Sequence, residues 1–195
     1  MKIPTISFIF VIALLSFACS KEEPIDTDSS FKTSNFAASI NSDELVGEWK
    51  LSAMQADTLV DLNQDGTGDK NLINESTCFN EMKVIFYKET KADGSVVKEF
   101  STTNARLDFN GGTTNAEFVC VKDRVDFGTW DVDGADLILN INIDGTIYTD
   151  RKPLNYNTTT FAFNVTKAES NIYVSDPGDT SASKIRILAL EYTRI

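Results

Sequence analysis

Histidine is absent from this chain of 195 residues. That absence removes the Ser-His-Asp triad, histidine metal ligands and an imidazole general base together, and it leaves an enzyme only carboxylate chemistry such as glycoside hydrolysis. Two acidic residues facing each other in a cleft would be needed for that, and strand parity offers no such pair. Cysteine is scarce, at three residues, and without an imidazole to deprotonate it a catalytic thiol is not expected. Positive charge is short as well: 18 Lys and Arg stand against 29 Asp and Glu, a formal net charge of −11. So acidic a chain repels phosphate backbones and anionic headgroups, which excludes nucleic acid as an expected partner and favours cations. The one long apolar run, Ile6 to Ala18, is too short for the roughly 20 residues of a spanning helix. No segment sustains a 3.6-residue period, so any helix is short. Neither an internal repeat nor a second domain is visible.

What is present begins with a leader. Met1-Lys2 supplies a positive end, the apolar run follows, and the small residues Ser16 and Ala18 precede Cys19, so residues 1–18 read as a secretory signal peptide. Ser16-Phe17-Ala18-Cys19 resembles the lipobox of bacterial lipoproteins, with Ser16 where the pattern favours Leu. The resemblance implies that Cys19 is diacylated and becomes the mature N-terminus, anchoring the protein to a membrane; each buried methylene contributes about 0.8 kcal/mol, and two chains hold where one does not. The alternative is an ordinary cleavage site after Ala18 and a released protein. Lys21-Glu22-Glu23 resembles the acidic export signal of Bacteroidetes-type lipoproteins, which implies the outer face of the outer membrane. Residues 19–42, rich in Ser, Thr, Asp and Glu, are expected to be a flexible tether.

Residues 43–195 form the expected single domain, and period-two alternation dominates it. Leu137, Leu139, Ile141 and Ile143 alternate with Asn140, Asn142 and Asp144, and Phe161, Phe163 and Val165 alternate with Thr160, Asn164 and Thr166. Similar runs occur over 47–54, 82–88, 95–101, 104–109, 125–132, 146–151 and 184–194. Asp93-Gly94, Asn110-Gly111-Gly112, Asp133-Gly134 and Asp144-Gly145 lie between them and suit tight hairpins. Eight or nine short strands in hairpin order predict an all-β fold, an antiparallel up-and-down barrel with a β-sandwich as the alternative. Gly47-Glu48-Trp49 resembles the Gly-x-Trp strand that opens lipocalin-like domains. The resemblance implies that Trp49 closes one end of the barrel and that a late arginine, Arg194 or Arg186, lies across it in a cation–π contact. The Thr-Asp-Tyr motif and the C-terminal helix of that family are absent.

With Cys19 acylated, Cys78 and Cys120 remain as an even pair in an exported protein and are expected to form a disulfide. Asp61-Leu62-Asn63-Gln64-Asp65-Gly66-Thr67-Gly68-Asp69 places side-chain oxygens at alternate positions before a glycine, the layout of a calcium loop. Asp61, Asn63 and Asp65, the carbonyl of Thr67, and Asp69 would take positions 1, 3, 5, 7 and 9. Leu72 stands where a bidentate glutamate is usual, with Glu75 as a substitute if the loop deviates, so calcium would be weak and structural. An Asp-rich turn capping its own backbone is the other reading. The aromatics, Phe86, Phe161 and Phe163 among them, would either fill the barrel or line a cavity. Together these features predict a non-enzymatic outer-membrane lipoprotein whose barrel binds a small apolar molecule or a saccharide. The alternative is a structural or protein-interaction module stiffened by calcium and the disulfide.

Overall fold

The computed structural model describes residues 39–109, 118–175 and 185–195. Cys19, the leader, most of the tether and the Asn110-Gly111-Gly112 turn lie outside the described residues. In chain order the elements are α1 (Ser42–Leu45), β1 (Gly47–Val60), β2 (Asp69–Asn71), α2 (Leu72–Glu75), a 3-10 turn (Thr77–Phe79), β3 (Lys83–Thr90), β4 (Val96–Phe109), β5 (Phe118–Asp133), β6 (Asp136–Ile143), β7 (Thr146–Pro153), β8 (Asn155–Tyr156), β9 (Thr160–Asn164), α3 (Lys167–Tyr173) and β10 (Ile187–Arg194).

These strands make one antiparallel sheet in the order β7-β6-β5-β4-β3-β1-β10-β9-β8, with β2 added to β1. Consecutive strands are neighbours from β3 to β7 and again from β8 to β10. β1 sits between β3 and β10 and joins the two runs. Leu154 alone separates β7 from β8 in the chain, so the two edges of the sheet are brought together and the sheet curls into an incompletely closed up-and-down barrel. A single continuous sheet of this order replaces the sandwich alternative. Asp144-Gly145 makes the β6–β7 turn with positive φ at both residues, 51° and 83°, the geometry that matches the twist of two flanking strands.

The strands are not all short. β1, β4 and β5 run to 14, 14 and 16 residues, whereas β6 and β7 have 8 each and β9 has 5. The two runs expected over 95–101 and 104–109 are one strand, β4, whose pairing with β5 shifts register between Asn104 and Arg106. The extra residue lies on β5, which takes three steps from Arg124 to Val121 against two on β4. Along β4 the buried positions change parity from Phe100 to Ala105 and Leu107, so an unbroken strand reads as two in sequence. The long wall overtops the short one, and α3 packs across this difference against β10 and β4. Thr166 and Glu169 start α3 with a reciprocal capping box.

The core is one continuous cluster, and an aromatic group forms around Trp49 within it. Trp49 and Phe161 meet edge to face with centroids 5.0 Å apart, Phe86 and Trp130 are 5.0 Å apart, and Phe161 stacks on Tyr192 at 5.0 Å. Met54, Leu137, Leu190 and Ile187 complete the packing as buried side chains.

Candidate functional site

One end of the barrel is built around Gly47 and Trp49 of β1 and Arg194 of β10. Trp49 is fully buried, and the Arg194 guanidinium carbon lies 4.1 Å from the centre of its ring. Antiparallel pairing sets Trp49 directly opposite Arg194, which is why a residue on the last strand reaches the first. The guanidinium also donates to the carbonyls of Val46 at 2.9 Å, Thr158 at 3.2 Å and Glu44. The Trp49 indole N–H donates to the Leu45 carbonyl at 2.8 Å. Gly47 has φ 130°, and a Cβ there would stand 3.0 Å from an Arg194 nitrogen, so the glycine serves both the backbone angle and the approach of the arginine. Arg186, the other arginine considered, instead pairs its backbone with Asp57 on β1.

Above this floor lies a cavity of about 370 Å³. Strand parity assembles it: Leu137, Leu139 and Ile141 of β6 and Phe161 and Phe163 of β9, with Val165 just beyond that strand, turn their apolar face into it. Tyr192 stacks with Phe161 and Phe163 at interplanar angles of 17° and 18°. The barrel is therefore not wholly filled by side chains; some aromatics pack the floor and others wall the space above it.

The rim is polar and internally paired. Asp126 accepts from the Arg124 Nε at 2.9 Å and from the Asn104 amide at 2.8 Å. Lys152, a buried lysine of β7, pairs with Glu169 on α3 and lies 3.4 Å from Asp150, with its ammonium 5.7 Å from the centre of the Phe163 ring. Burial acts to raise the Glu169 pKa, but the hydrogen bonds from Lys152 and from the Thr166 N–H outweigh it and hold the carboxyl below its ordinary value. A glycosidic general acid needs the opposite displacement. Each of the three rim carboxylates thus has a cationic neighbour, an arrangement suited to shaping a mouth. Parity of β6 and β9 made the apolar wall legible in sequence. The rim pairs were not, because Arg124, Asp126, Lys152 and Glu169 come from three separate elements. Only the Thr166-Lys167-Ala168-Glu169 capping signature could have pointed to α3.

The Asp61–Asp69 segment connects β1 to β2, and its side chains bind their own backbone. Asp61 accepts from the N–H groups of Asp65 at 3.1 Å and Gly66 at 3.0 Å, Asn63 accepts from Asp65 at 2.9 Å, and Asp65 accepts from Thr67 at 2.8 Å. Asp69 turns towards α2, accepting from the Asn71 N–H at 2.9 Å and the Asn74 amide at 2.6 Å, bonds that lower its pKa. Glu75, buried on α2, reaches back to accept from the Leu62 N–H at 3.2 Å. Among the described residues no group of three or more His, Cys, Asp or Glu side chains converges as a metal centre. Nearby, Cys78 in the 3-10 turn and Cys120 on β5 form a disulfide with Cα atoms 5.5 Å apart. The bond ties the β2–α2 excursion to the tall wall of the barrel.

Fold and cavity define an all-β, disulfide-bonded barrel-like domain with an aromatic-walled interior. Comparison with protein-family models, with curated proteins and with solved structures gives no match to this chain.

Proposed function

We propose that this protein is an outer-membrane, surface-exposed lipoprotein anchored through Cys19, whose lipocalin-like domain binds a small apolar or saccharide ligand without chemical change. The cavity carries this reading: about 370 Å³, within the roughly 300–1,000 Å³ of small-molecule sites, with an aromatic wall and a few polar groups at its mouth. The Trp49–Arg194 closure and the Gly47-x-Trp49 opening support the lipocalin-like part. The leader, the lipobox and the acidic tripeptide support the location. Titration of the purified full chain with the fluorescent apolar probe 1-aminoanthracene, alongside an immobilised glycan panel, tests the binding. Saturable uptake of either kind, lost when Leu139→Trp fills the cavity, is expected; no uptake of either refutes the reading. Cys19→Ser should release the protein from membranes, and protease added to intact cells should cleave the wild-type chain.

A second reading, a surface interaction module stiffened by calcium and the disulfide, draws on the outer wall. Val125 and Phe127 of β5 and Ile147 of β7 are exposed large apolar side chains, each more than half accessible. Side chains so placed on a barrel exterior suit contact with another protein. Cross-linking on intact membranes separates the two readings, since a ligand carrier brings down no stable protein partner.

A further inference from the structure

Two tyrosine hydroxyls are available to the cavity. Tyr173 on α3 and Tyr192 on β10 both line the cavity, and neither hydroxyl makes a hydrogen bond to any of the described residues. Tyr192 is 6% exposed, so its ring is core, stacked between the phenylalanines of β9, while its polar end opens into the cavity. Among the described residues no buried side-chain polar atom lacks a partner, so both hydroxyls are accessible rather than sealed in the core, and each is a donor that a molecule in the cavity can use. Burial raises the pKa of both phenols. At Tyr173 the carboxylates of Glu169, Asp150 and Asp126 add to this and Arg124 opposes it, while Tyr192 is raised further by Tyr173 itself. Both therefore stay protonated and act as neutral donors at physiological pH.

The surrounding charge narrows what they would donate to. Three carboxylates, Asp126, Asp150 and Glu169, stand against two cations, Arg124 and Lys152, and both cations are already paired. An anionic ligand end meets net repulsion there and no free partner. The near-parallel rings of Phe161, Phe163 and Tyr192 favour a flat apolar body, since offset stacking adds to area burial.

Resting on the binding function proposed above, we infer that the ligand is a neutral, flat ring compound bearing a carbonyl-type acceptor, bound by stacking on the Phe161–Phe163–Tyr192 wall and by hydrogen bonds from the Tyr173 and Tyr192 hydroxyls. A carbonyl oxygen carries two lone pairs and suits a pair of donors. Both tyrosines are binding residues in this assignment.

Three probes of nearly one shape test it by equilibrium dialysis with the full chain: 2-acetylnaphthalene, its isostere 2-isopropenylnaphthalene, and 2-naphthoate. The ketone should bind about tenfold more tightly than the isopropenyl compound, the scale of one well-made hydrogen bond. Naphthoate should bind more weakly than the ketone. Tyr192→Phe keeps the ring and should lose part of the ketone preference, and the double variant Tyr173→Phe/Tyr192→Phe should bring the ketone to within about twofold of the isopropenyl compound, whose own affinity stays unchanged. Equal binding of ketone and isopropenyl compound by the wild type, or tightest binding of naphthoate, overturns this inference while leaving the binding function standing. A ketone preference that survives in the double variant overturns the assignment to the tyrosines. Failure of all three probes, together with 1-aminoanthracene, overturns both readings.

Discussion

Arg194 offers the sharpest test of how the barrel is closed. Arg194→Ala removes the cation 4.1 Å from the Trp49 ring centre, a contact that contributes roughly 0.5–2 kcal/mol. It also leaves the Val46 carbonyl, bonded at 2.9 Å in a part-buried setting, without its charged donor, a further ~1.5–3 kcal/mol. The carbonyls of Glu44 and Thr158 accept at exposed positions and regain water, so they add little. The expected loss is about 3 kcal/mol, and with a urea m-value near 2 kcal/mol per molar the unfolding midpoint falls by about 1.5 M. Urea unfolding followed by far-ultraviolet circular dichroism reads this directly. Arg194→Lys keeps a positive charge over the indole but not the planar fork, and should lose about half as much. A cycle with Trp49→Leu isolates the ring contact and should return a coupling of at least about 0.5 kcal/mol. A loss below about 1 kcal/mol for Arg194→Ala, or no coupling in the cycle, would refute the closure as described.

Three further outcomes are expected. Replacing both Cys78 and Cys120 by serine opens a bridge spanning 42 residues of sequence, and should lower stability by about 4 kcal/mol in the chain-entropy model; an unchanged urea midpoint would contradict it. If the Asp61–Asp69 loop binds calcium at the ~0.1–1 mM level of extracellular modules, melting in 5 mM calcium should exceed melting in chelator by about 3–6 °C, and Asp61→Asn/Asp65→Asn should abolish the gain. Equal midpoints with calcium and chelator remove calcium from the account. Glu169 has a folded pKa below its ordinary 4.5, so its stabilising contribution is present above that value and is lost as pH falls through the lowered folded one. Glu169→Gln, which keeps a capping acceptor, should therefore flatten the loss of stability between about pH 5 and pH 3 relative to wild type; an identical slope would show that the Lys152 pair contributes nothing.

Sequence and structure divide the work at identifiable residues. Alternation on β6 and β9 was legible because each side chain's face follows from its place in the pleat, a purely local property. The Gly47-x-Trp49 pattern pointed to a cross-barrel arginine, and the structure places Arg194 there because the first and last strands pair. β4 was misread as two strands, since the irregularity at Asn104–Arg106 breaks the period without ending the strand. The aromatic residues were legible as buried, but not as wall or filling, because that depends on unequal strand lengths on opposite sides of the barrel.

By itself, then, the sequence determined the all-β class, the hairpin order, the Cys78–Cys120 pairing and the want of any imidazole chemistry, all of which follow from residue type, spacing and count. Tertiary structure alone decided that β7 and β8 meet at Leu154, that the space above Phe161 stays open, and that Arg124, Asp126, Lys152 and Glu169 share one mouth. Those outcomes depend on how distant strands register and how far each rises, and neither quantity is written in any local stretch of the chain.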